Sequence, residues 1–382
     1  MPNRRYLLGI LVYNGRDVVV PCLASAAQLS APNVDVVVFD DCSPSPGWSE
    51  ELAELCRGHQ IGYYRTPRNL GIPRNMSLAM RAGIAGGYDI VGLVNSDVIL
   101  PANLCAVADT VFDSDDRIAS VTPWSNNVSA FSLPMEGDDG LVADQEFVTE
   151  FSESLNSIHH ERTLSVPTGV GYCLLITTTA IRSVGVMDPI FGRGYCEEVD
   201  WCQRVNAARL VNALSLGMYV YHAGSGTNRT EGLLAHGMTT VPEHESMIRW
   251  RYPDYLDRVR EFLNEGTLDR LGQETLAEAL QAMCRSRGYS LAISGTDLPT
   301  QAKDALVVLR TGHGELSSIR LGGLHARFPT GRYWQPELLQ QTFGTPSRVV
   351  AYEPGSVAQT YVSWARIHGI PVDDSRSYPG QI

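Results

Sequence analysis

Short apolar runs alternate with longer, helix-like segments through the first hundred positions of the chain. The apolar runs predict strands at 7–12, 34–39, 61–65 and 90–94. The segments between them predict helices at 18–29, 48–57 and 71–85. Strand–helix alternation at this spacing is typical of βαβ units, so the pattern predicts a parallel sheet in an α/β domain.

Polar residues follow three of these strands. Asn14 follows the first, Asp40 and Asp41 end the second, and the triplet 95–97 (Asn-Ser-Asp) ends the fourth. Right-handed crossovers bring such strand ends to one edge of the sheet, over a single crevice. A carboxylate there can bind a divalent metal, and the metal can bind a diphosphate. The triplet alone is more typical of a simple turn than of a site, and the coincidence of three polar strand ends is what favours a site.

The pattern is less regular after residue 100. A helix is predicted at 147–158, a glycine-led strand at 168–176 and a strand at 218–221 that ends at His222. An acidic group, 197–200 (Glu-Glu-Val-Asp), opens a further predicted helix to 208. Acidic residues also stabilise a helix N-terminus electrostatically, and a lone histidine after a strand is more often structural than a ligand. Both interpretations stay open on the pattern alone.

The last third of the chain predicts a separate small α/β unit. Its elements are a helix at 268–284, strands at 305–309 and 348–352, and a helix at 357–368. This unit could bind an acceptor, join subunits or dock a partner enzyme.

Composition narrows the class of protein. The 382 residues suffice for two domains, and the net charge of −12 argues against a nucleic-acid surface while leaving a metal-bound nucleotide possible. Eight scattered cysteines without a Cys-x-x-Cys pair indicate reduced thiols and no zinc site. No segment is long and apolar enough to span a bilayer. A cytoplasmic protein is expected, with peripheral attachment at the inner membrane face as an option.

Several segments, in this order and spacing, carry a resemblance to a known family. They are 12–14 (VYN), 38–43 (VFDDCS), 69–75 (NLGIPRN), 95–97 (NSD), 122–127 (TPWSNN), 167–173 (PTGVGYC), 191–202 (FGRGYCEEVDWC), 221–225 (YHAGS) and 250–256 (WRYPDYL). Roughly residues 5–265 resemble family 2 glycosyltransferases of the GT-A fold, most closely a bacterial subgroup associated with O-antigen and other surface polysaccharides.

The resemblance implies a fold and a domain division. The fold is α/β, with a GT-A (Rossmann-like nucleotide-diphospho-sugar transferase) domain at 1–265 and a small C-terminal α/β domain of unknown role at 266–382. A homo-oligomer or a partner glycosyltransferase could form through the C-terminal part.

The resemblance also implies residues that bind the donor, a nucleotide-diphosphate sugar of UDP or dTDP type. The nucleotide would contact Val12, Tyr13, Asn14, Asp40, Asp41, Arg74, Asn75, Asn95 and Ser96. The donor sugar would contact Asn126, Asn127 and Glu197.

A metal site follows from the same resemblance. Asp97 and His222 are the implied ligands, and a carboxylate with an imidazole and phosphate oxygens suits Mn²⁺ or Mg²⁺. Asn95 stands where the family's Asp-x-Asp triplet has its first acid. The amide removes one negative charge, so weaker metal affinity is expected.

The implied general base is Glu198, the second residue of the family's acidic pair, with Glu197 as the alternative. A carboxylate can take the proton of an acceptor hydroxyl as the new bond forms, and one direct displacement inverts the anomeric centre. The acceptor would be a growing polysaccharide, a glycan or a lipid-linked glycan.

Two other functions compete with this one. A sugar nucleotidyltransferase would carry a glycine-rich, basic loop after the first strand, but residues 13–17 hold one glycine and no lysine. A degenerate, non-catalytic sugar-nucleotide-binding module would have lost metal or base positions. Asp97, Glu198 and His222 all stand, so the enzyme is favoured.

Overall fold

The computed structural model describes residues 4–128, 130–133, 144–224, 241–295, 305–311, 316–321, 324–352 and 355–373. All helices and strands below lie in these ranges. None of the helices in these ranges is long and apolar enough to cross a membrane. All eight cysteines are described, and each is a free thiol.

The first part of the chain forms strands and helices in alternation. The strands are β1 (Tyr6–Val12), β2 (Val34–Asp40), β3 (Gly62–Arg65), β4 (Ile90–Asn95), β5 (Val98–Ile99), β6 (Ile118–Trp124), β7 (Thr163–Ser165), β8 (Cys173–Thr177), β9 (Val211–Tyr219) and β10 (Tyr221–His222). The helices are α1 (Arg16–Ala27), α2 (Trp48–Gly58), α3 (Ile72–Ala85), α4 (Leu104–Ser114), α5 (Gln145–His159), α6 (Thr178–Val184), α7 (Glu197–Ala207), α8 (Pro242–Arg251) and α9 (Tyr255–Asn264).

Eight of these strands form one sheet in the order β3-β2-β1-β4-β8-β6-β9-β7. The first four are mutually parallel, as predicted, whereas β8 runs antiparallel to both β4 and β6. In register, Val12 lies beside Asp40, and Leu11 beside Asn95. The polar ends of β1, β2 and β4 therefore lie along one edge of the sheet, as expected from the sequence.

Both faces of this sheet are covered, which explains the continuous apolar runs. One core cluster joins the sheet to α1, α2 and α4, and another joins its opposite face to α3, α6 and α7. All seven residues of β1 are buried. A parallel strand buried on both faces has no solvent side that would favour alternating polar residues.

Two predicted strands differ from the observed ones. The strand expected at 168–176 begins only at Cys173, because the N–H groups of Gly169 and Val170 donate to the side chains of Cys202 and Thr122 instead of to a neighbouring strand. The strand expected at 218–221 is two strands, since β9 ends at Tyr219 and β10 pairs separately with β5.

The C-terminal part contains a second sheet. Its strands are β11 (Ser290–Ser294), β12 (Leu306–Arg310), β13 (Leu316–Leu321), β14 (Leu324–Pro329), β15 (Arg348–Ala351) and β16 (Val372–Asp373), in the order β14-β13-β12-β11-β15-β16. Its helices are α10 (Thr267–Arg287), α11 (Pro336–Phe343) and α12 (Ser356–Ile367). The small α/β unit predicted for this region is thus confirmed.

Helix α10 joins the two sheets. Its buried residues share one hydrophobic cluster with α5 and β9 of the first sheet and with the strands of the second. Arg287 of α10 lies 3.4 Å from Glu150 of α5, and Glu278 lies 3.5 Å from His159. Burial lowers the pKa of His159 to about 4, so of these two contacts only that of Arg287 with Glu150 is an ion pair at neutral pH. The continuous apolar contact, more than this partly exposed ion pair, holds the two sheets together.

Gly71, which precedes α3, is a point where two backbones touch. Its φ is +83°, and a Cβ placed there would overlap the carbonyl oxygen of Gly192. The N–H of Ile72 donates to the carbonyl of Arg193 at 3.4 Å. The start of α3 therefore holds the segment that leads into α7.

We expect Gly71→Ala to destabilise the fold more than Gly47→Ala does. Both glycines have positive φ, but a Cβ at Gly47 would meet nothing within 4 Å. The control should lose about 1–2 kcal/mol from left-handed backbone strain alone. Gly71→Ala adds a steric clash with backbone. Chemical denaturation of both variants measures the difference, and equal losses would show that the contact with Gly192 is unimportant.

Candidate active site

His222 and Asp97 meet at the edge of the main sheet, where β5 and β10 pair. In this antiparallel pair His222 lies opposite Val98, which directly follows Asp97. Nε2 of His222 is 3.3 Å from Oδ2 of Asp97, and these side chains are 16% and 12% exposed. The N–H of Ala223 also donates to the carbonyl of Asp97 at 2.8 Å. The structure thus brings the two predicted metal ligands together.

Asn126 and Asn127 fix the position of His222. The side chain of Asn126 accepts from the N–H of His222 at 2.8 Å and donates to its carbonyl at 3.1 Å. Nδ1 of His222 lies 2.7 Å from the carbonyl oxygen of Asn127. Since a carbonyl only accepts, Nδ1 carries the proton, and in the neutral imidazole Nε2 presents its lone pair towards Asp97.

Protonation of His222 depends on two opposing effects. Burial lowers the pKa of the imidazole, but the hydrogen bond and the charge of Asp97, together with the carbonyl of Asn127, raise it above its ordinary value overall. A bound cation would replace the proton on Nε2, because a metal ligand must be deprotonated.

The residues present fit Mn²⁺ or Mg²⁺. Neighbouring ligands of a six-coordinate ion with bonds of about 2.1 Å lie about 3 Å apart, close to the 3.3 Å between Asp97 and His222. Within the described ranges, no three His, Cys, Asp or Glu side chains are grouped to hold an ion. The remaining ligands would come from a bound molecule or from water. Asn95 and Ser96 are partly exposed beside the pair.

Gly171 and Tyr172 connect this pair to the acidic start of α7. The carbonyl of Tyr172 accepts from the N–H of Asn95 at 2.8 Å, and its ring centroid is 5.4 Å from that of His222. A Cβ added at Gly171 would lie 3.8 Å from Cγ and Cδ of Glu198. Adjacent residues thus touch the predicted base on one side and the predicted metal pair on the other.

Glu197 and Glu198 begin α7 after two residues with positive φ, Tyr195 and Cys196. Glu197 is only 4% exposed. Oε2 of each carboxyl is buried and has no hydrogen-bond partner in the described part of the chain. Burial raises the pKa of both carboxyls, and the charge of Glu198 raises that of Glu197 further, to well above its ordinary value. Buried acids with raised pKa values are typical of sites that transfer protons.

Asp200 anchors α7 on its other side. The buried carboxylate of Asp200 accepts from Arg251 at 2.7 Å, from Tyr252 at 2.9 Å and from Arg204 at 3.1 Å. These contacts tie α7 to the end of α8, so Asp200 serves position rather than chemistry.

His244 of α8 holds the turn before α7. Its Nδ1 lies 2.9 Å from the carbonyl of Gly194 and 3.1 Å from that of Tyr195, and its ring packs edge-on against Phe191. The strained backbone that presents the two glutamates is therefore supported from outside.

Asp40, at the end of β2, is fully buried among donors. Its carboxylate accepts from the N–H of Ser43 at 2.9 Å, the hydroxyl of Ser49 at 3.0 Å and the hydroxyl of Tyr63 at 2.8 Å. Nε of Arg65 lies 3.4 Å away. The observed contacts organise the loop after β2, and the predicted contact with a nucleotide stays a prediction.

Asp41 links β2 to the turn before α3. Its two oxygens accept from the N–H groups of Leu70 at 2.7 Å and Gly71 at 2.8 Å, and from the hydroxyl of Thr66 at 3.2 Å. The side chain is 3% exposed. Like Asp40, it is engaged by the protein's own groups.

The remaining predicted nucleotide residues divide into buried and accessible ones. Val12 is buried, and Asn75 is buried with its amide donating to the carbonyl of Phe39 at 2.9 Å. Asn14, with φ of +57°, accepts through its side chain from the hydroxyl of Ser45 at 2.8 Å. Tyr13 is partly exposed and Arg74 is exposed. These two can reach a ligand without rearrangement.

The sequence interpretation gave no role to several residues that build the site. Gly171, Tyr172 and Arg251 lie inside the segments that carry the resemblance, which was the available signal. His244 lies outside those segments. Its role arises from a contact with residues 50 positions earlier in the chain, which no local pattern indicates.

Comparison with known proteins gives a family for the first part of the chain. Residues 8–164 match the family described as glycosyl transferase family 2. The resemblance to family 2 glycosyltransferases is thereby confirmed for residues 8–164, as is the fold class of an α/β domain of this family followed by a small α/β unit. The bacterial O-antigen subgroup stays a prediction. No curated protein matches the chain.

Three solved structures are similar at low identity. GalNAc-T7 with UDP, GalNAc and Mn²⁺ is 14% identical with a TM-score of 0.45, and the match covers 57% of this chain and 44% of that one. The mannosyltransferase PcManGT from Pyrobaculum calidifontis with GDP-Man and Mn²⁺ is 13% identical, with a TM-score of 0.45 and coverage of 72% and 75%. TarS 1-349 from S. aureus is 16% identical, with a TM-score of 0.43 and coverage of 73% and 80%. This chain spans less than half the length of the first of these.

Glu197→Gln should stabilise the protein increasingly as pH rises. The pKa of this carboxyl is higher in the folded state than in the unfolded state. The folded protein therefore binds the proton more strongly, and it loses stability as pH rises from the unfolded pKa through the folded one. Glutamine removes this loss. The measurement is the melting temperature of variant minus wild type, from about pH 5 to about pH 8.

Glu50→Gln is the matched control, because Glu50 is an exposed acid in the first turn of α2. Its difference from wild type should stay flat over the same pH range. The raised pKa of His222 contributes equally to wild type and both variants, so it cancels. A difference in melting temperature that does not change with pH for Glu197→Gln would contradict the raised pKa of this buried carboxyl.

Proposed function

We propose, with the glycosyl transferase family 2 match of residues 8–164 as the premise, that the chain is an inverting, metal-dependent hexosyltransferase. It moves a sugar from a nucleotide-diphosphate donor of UDP or dTDP type to a hydroxyl of a growing polysaccharide, a glycan or a lipid-linked glycan. O-antigen or other surface-polysaccharide synthesis is the proposed context, on the resemblance of the motifs.

One observation carries this proposal: the 3.3 Å approach of Asp97 and His222 at the carboxyl edge of the sheet. Asn126 and Asn127 bind His222 so that its Nε2 faces Asp97. Such partners behind a ligand set its tautomer and orientation, as is usual for metal-binding histidines. A histidine kept only for packing would not need this arrangement.

Asp97 and His222 would hold Mn²⁺ or Mg²⁺, which when bound supplies positive charge to stabilise the leaving diphosphate. Asn95 contributes no charge, so the site relies on one carboxylate. The partly exposed Tyr13 and the exposed Arg74 are the proposed direct contacts of the nucleotide. In the same proposal Asp40, Asp41 and Asn75 shape the loops around it, since their side chains are bound within the protein.

Glu198 is the proposed general base. Its carboxylate takes the proton from the acceptor hydroxyl as the oxygen bonds to the anomeric carbon, and the bond from that carbon to the diphosphate breaks with its electron pair. The contact through Gly171 and Tyr172 supports this choice, because it joins Glu198 to the Asp97–His222 region. Glu197 is more deeply buried, and we propose that it holds position close to the donor sugar.

Asp97→Ala should abolish Mn²⁺-dependent hydrolysis of UDP- and dTDP-sugars, and His222→Ala should reduce it severely. Each variant removes a ligand that water cannot replace at the same orientation. Both should also weaken Mn²⁺ binding, measured by calorimetry with UDP present. Asp269→Ala, an exposed acid in the first turn of α10, is the control and should behave as wild type. Full activity of the Asp97→Ala variant in the presence of a chelator would contradict the proposed role of Asp97 as a metal ligand.

Glu198→Gln should keep donor and metal affinity while transfer to acceptor falls by about 10²–10⁴. Glu197→Gln should cost much less in rate. The measurement is the transfer rate at saturating donor, with nucleotide affinity determined separately for each variant. An inactive Glu197→Gln variant together with a nearly wild-type Glu198→Gln variant would show that Glu197 is the general base. If both variants lose only nucleotide binding, neither glutamate is the base, and a non-catalytic module is favoured.

A further inference from the structure

A groove of about 660 Å³ lies on the side of α7 that carries Asp200 and Arg204. It is bounded by residues 186–189, by Asp200 and Arg204, and by the last turn of α8 with Trp250. Its size is typical of small-molecule sites. Neither glutamate at the start of α7 lines it, so it is a separate surface from the proposed chemistry.

The charges in this groove compensate one another. Arg251 donates to Asp188 at 2.8 Å and to Asp200 at 2.7 Å. Arg204 donates to Asp200 and to the backbone carbonyls of Val184 and Val186. A charged ligand would find its counter-charge already paired. A neutral ligand rich in hydroxyls could share hydrogen bonds with the accessible edges of these groups, of which Asp188 is 30% exposed.

Trp250 adds a flat apolar surface beside these polar groups. It is 83% exposed, which is unusual for a side chain that large. The helix that carries it is fixed by Arg251 and by the contacts of His244 with the 194–195 backbone. An aromatic ring that a fixed helix presents next to hydrogen-bonding groups suits a ligand with one apolar face and a polar rim. The pyranose ring of a sugar has this character.

We propose that this groove binds a sugar unit of the acceptor glycan, away from the hydroxyl that reacts, with Trp250 stacking on its ring. The inference rests on the proposed transferase function and names part of its acceptor. Glu198 and the groove residue Asp200 lie on nearly opposite sides of a helix about 10 Å across. An acceptor of several sugar units is therefore needed to occupy the groove and reach the base around the start of α7.

The test is oligosaccharide binding to the full chain by saturation-transfer NMR and by tryptophan fluorescence. The probes are defined di- to hexasaccharides of glucose, mannose, galactose, rhamnose and N-acetylglucosamine. Trp250→Ala should weaken binding of the best probe about tenfold or more, since truncation of a stacked tryptophan commonly costs that much. Trp250→Phe should recover part of the loss. Trp334→Ala, at a 45% exposed tryptophan of the C-terminal unit, is the control and should bind as wild type.

Hydrolysis of donor without acceptor is measured on the same proteins. It should be unchanged in Trp250→Ala, because the groove lies apart from the donor contacts. No binding of any probe to wild type, equal affinity of wild type and Trp250→Ala, or an equal loss in Trp334→Ala would each overturn the proposal. Absence of donor hydrolysis in wild type, with Trp250-dependent oligosaccharide binding intact, would instead reject the transferase function and leave a carbohydrate-binding groove.

Discussion

The carboxylate of Asp41 is the contact on which the arrangement of the site depends. Asp41 directly follows the second strand, and its carboxylate accepts from the N–H groups of Leu70 and Gly71, just before α3. Buried backbone donors are costly to leave unpaired, so this pairing fixes the turn. This turn contacts the carbonyl oxygen of Gly192 so closely that only glycine fits at position 71. Through this contact the position of β2 sets that of the segment leading to Glu197.

The opposite half of the site depends on amide side chains. Asn126 replaces a strand neighbour for His222, since its carboxamide pairs with both backbone groups of that residue. A side chain that satisfies two backbone groups allows the two-residue strand β10 to exist beyond the main sheet. The adjacent Asn127 carbonyl then determines which imidazole nitrogen faces Asp97. The same turn therefore supports the strand and orients the imidazole of His222.

Much of this could be predicted because burial leaves a pattern. Strands β1, β2 and β4 are covered on both faces, so their sequences are continuous apolar runs that end where the sheet ends. The start of β8 could not be predicted, because the N–H groups of Gly169 and Val170 pair with side chains far away in sequence. Likewise, Asp40 and Asp41 look alike as a strand-end pair, yet they bind different loops. The residue types indicated that the carboxyl edge of the main sheet is polar. The hydrogen-bond partners of each carboxylate depend on the packing of distant loops and could not be predicted.

The first turn of helix α7 presents different acidic residues on its two faces. At 100° per residue, Glu198 and Asp200 point about 200° apart, so they lie on nearly opposite sides of the first turn. Glu198 lies beside Gly171, while Asp200 binds Arg204 and Arg251. An ion pair on the outer side thus resists rotation of the helix that would misdirect Glu198. Because Arg251 neighbours Trp250, the same ion pair joins the groove wall formed by α8 to helix α7.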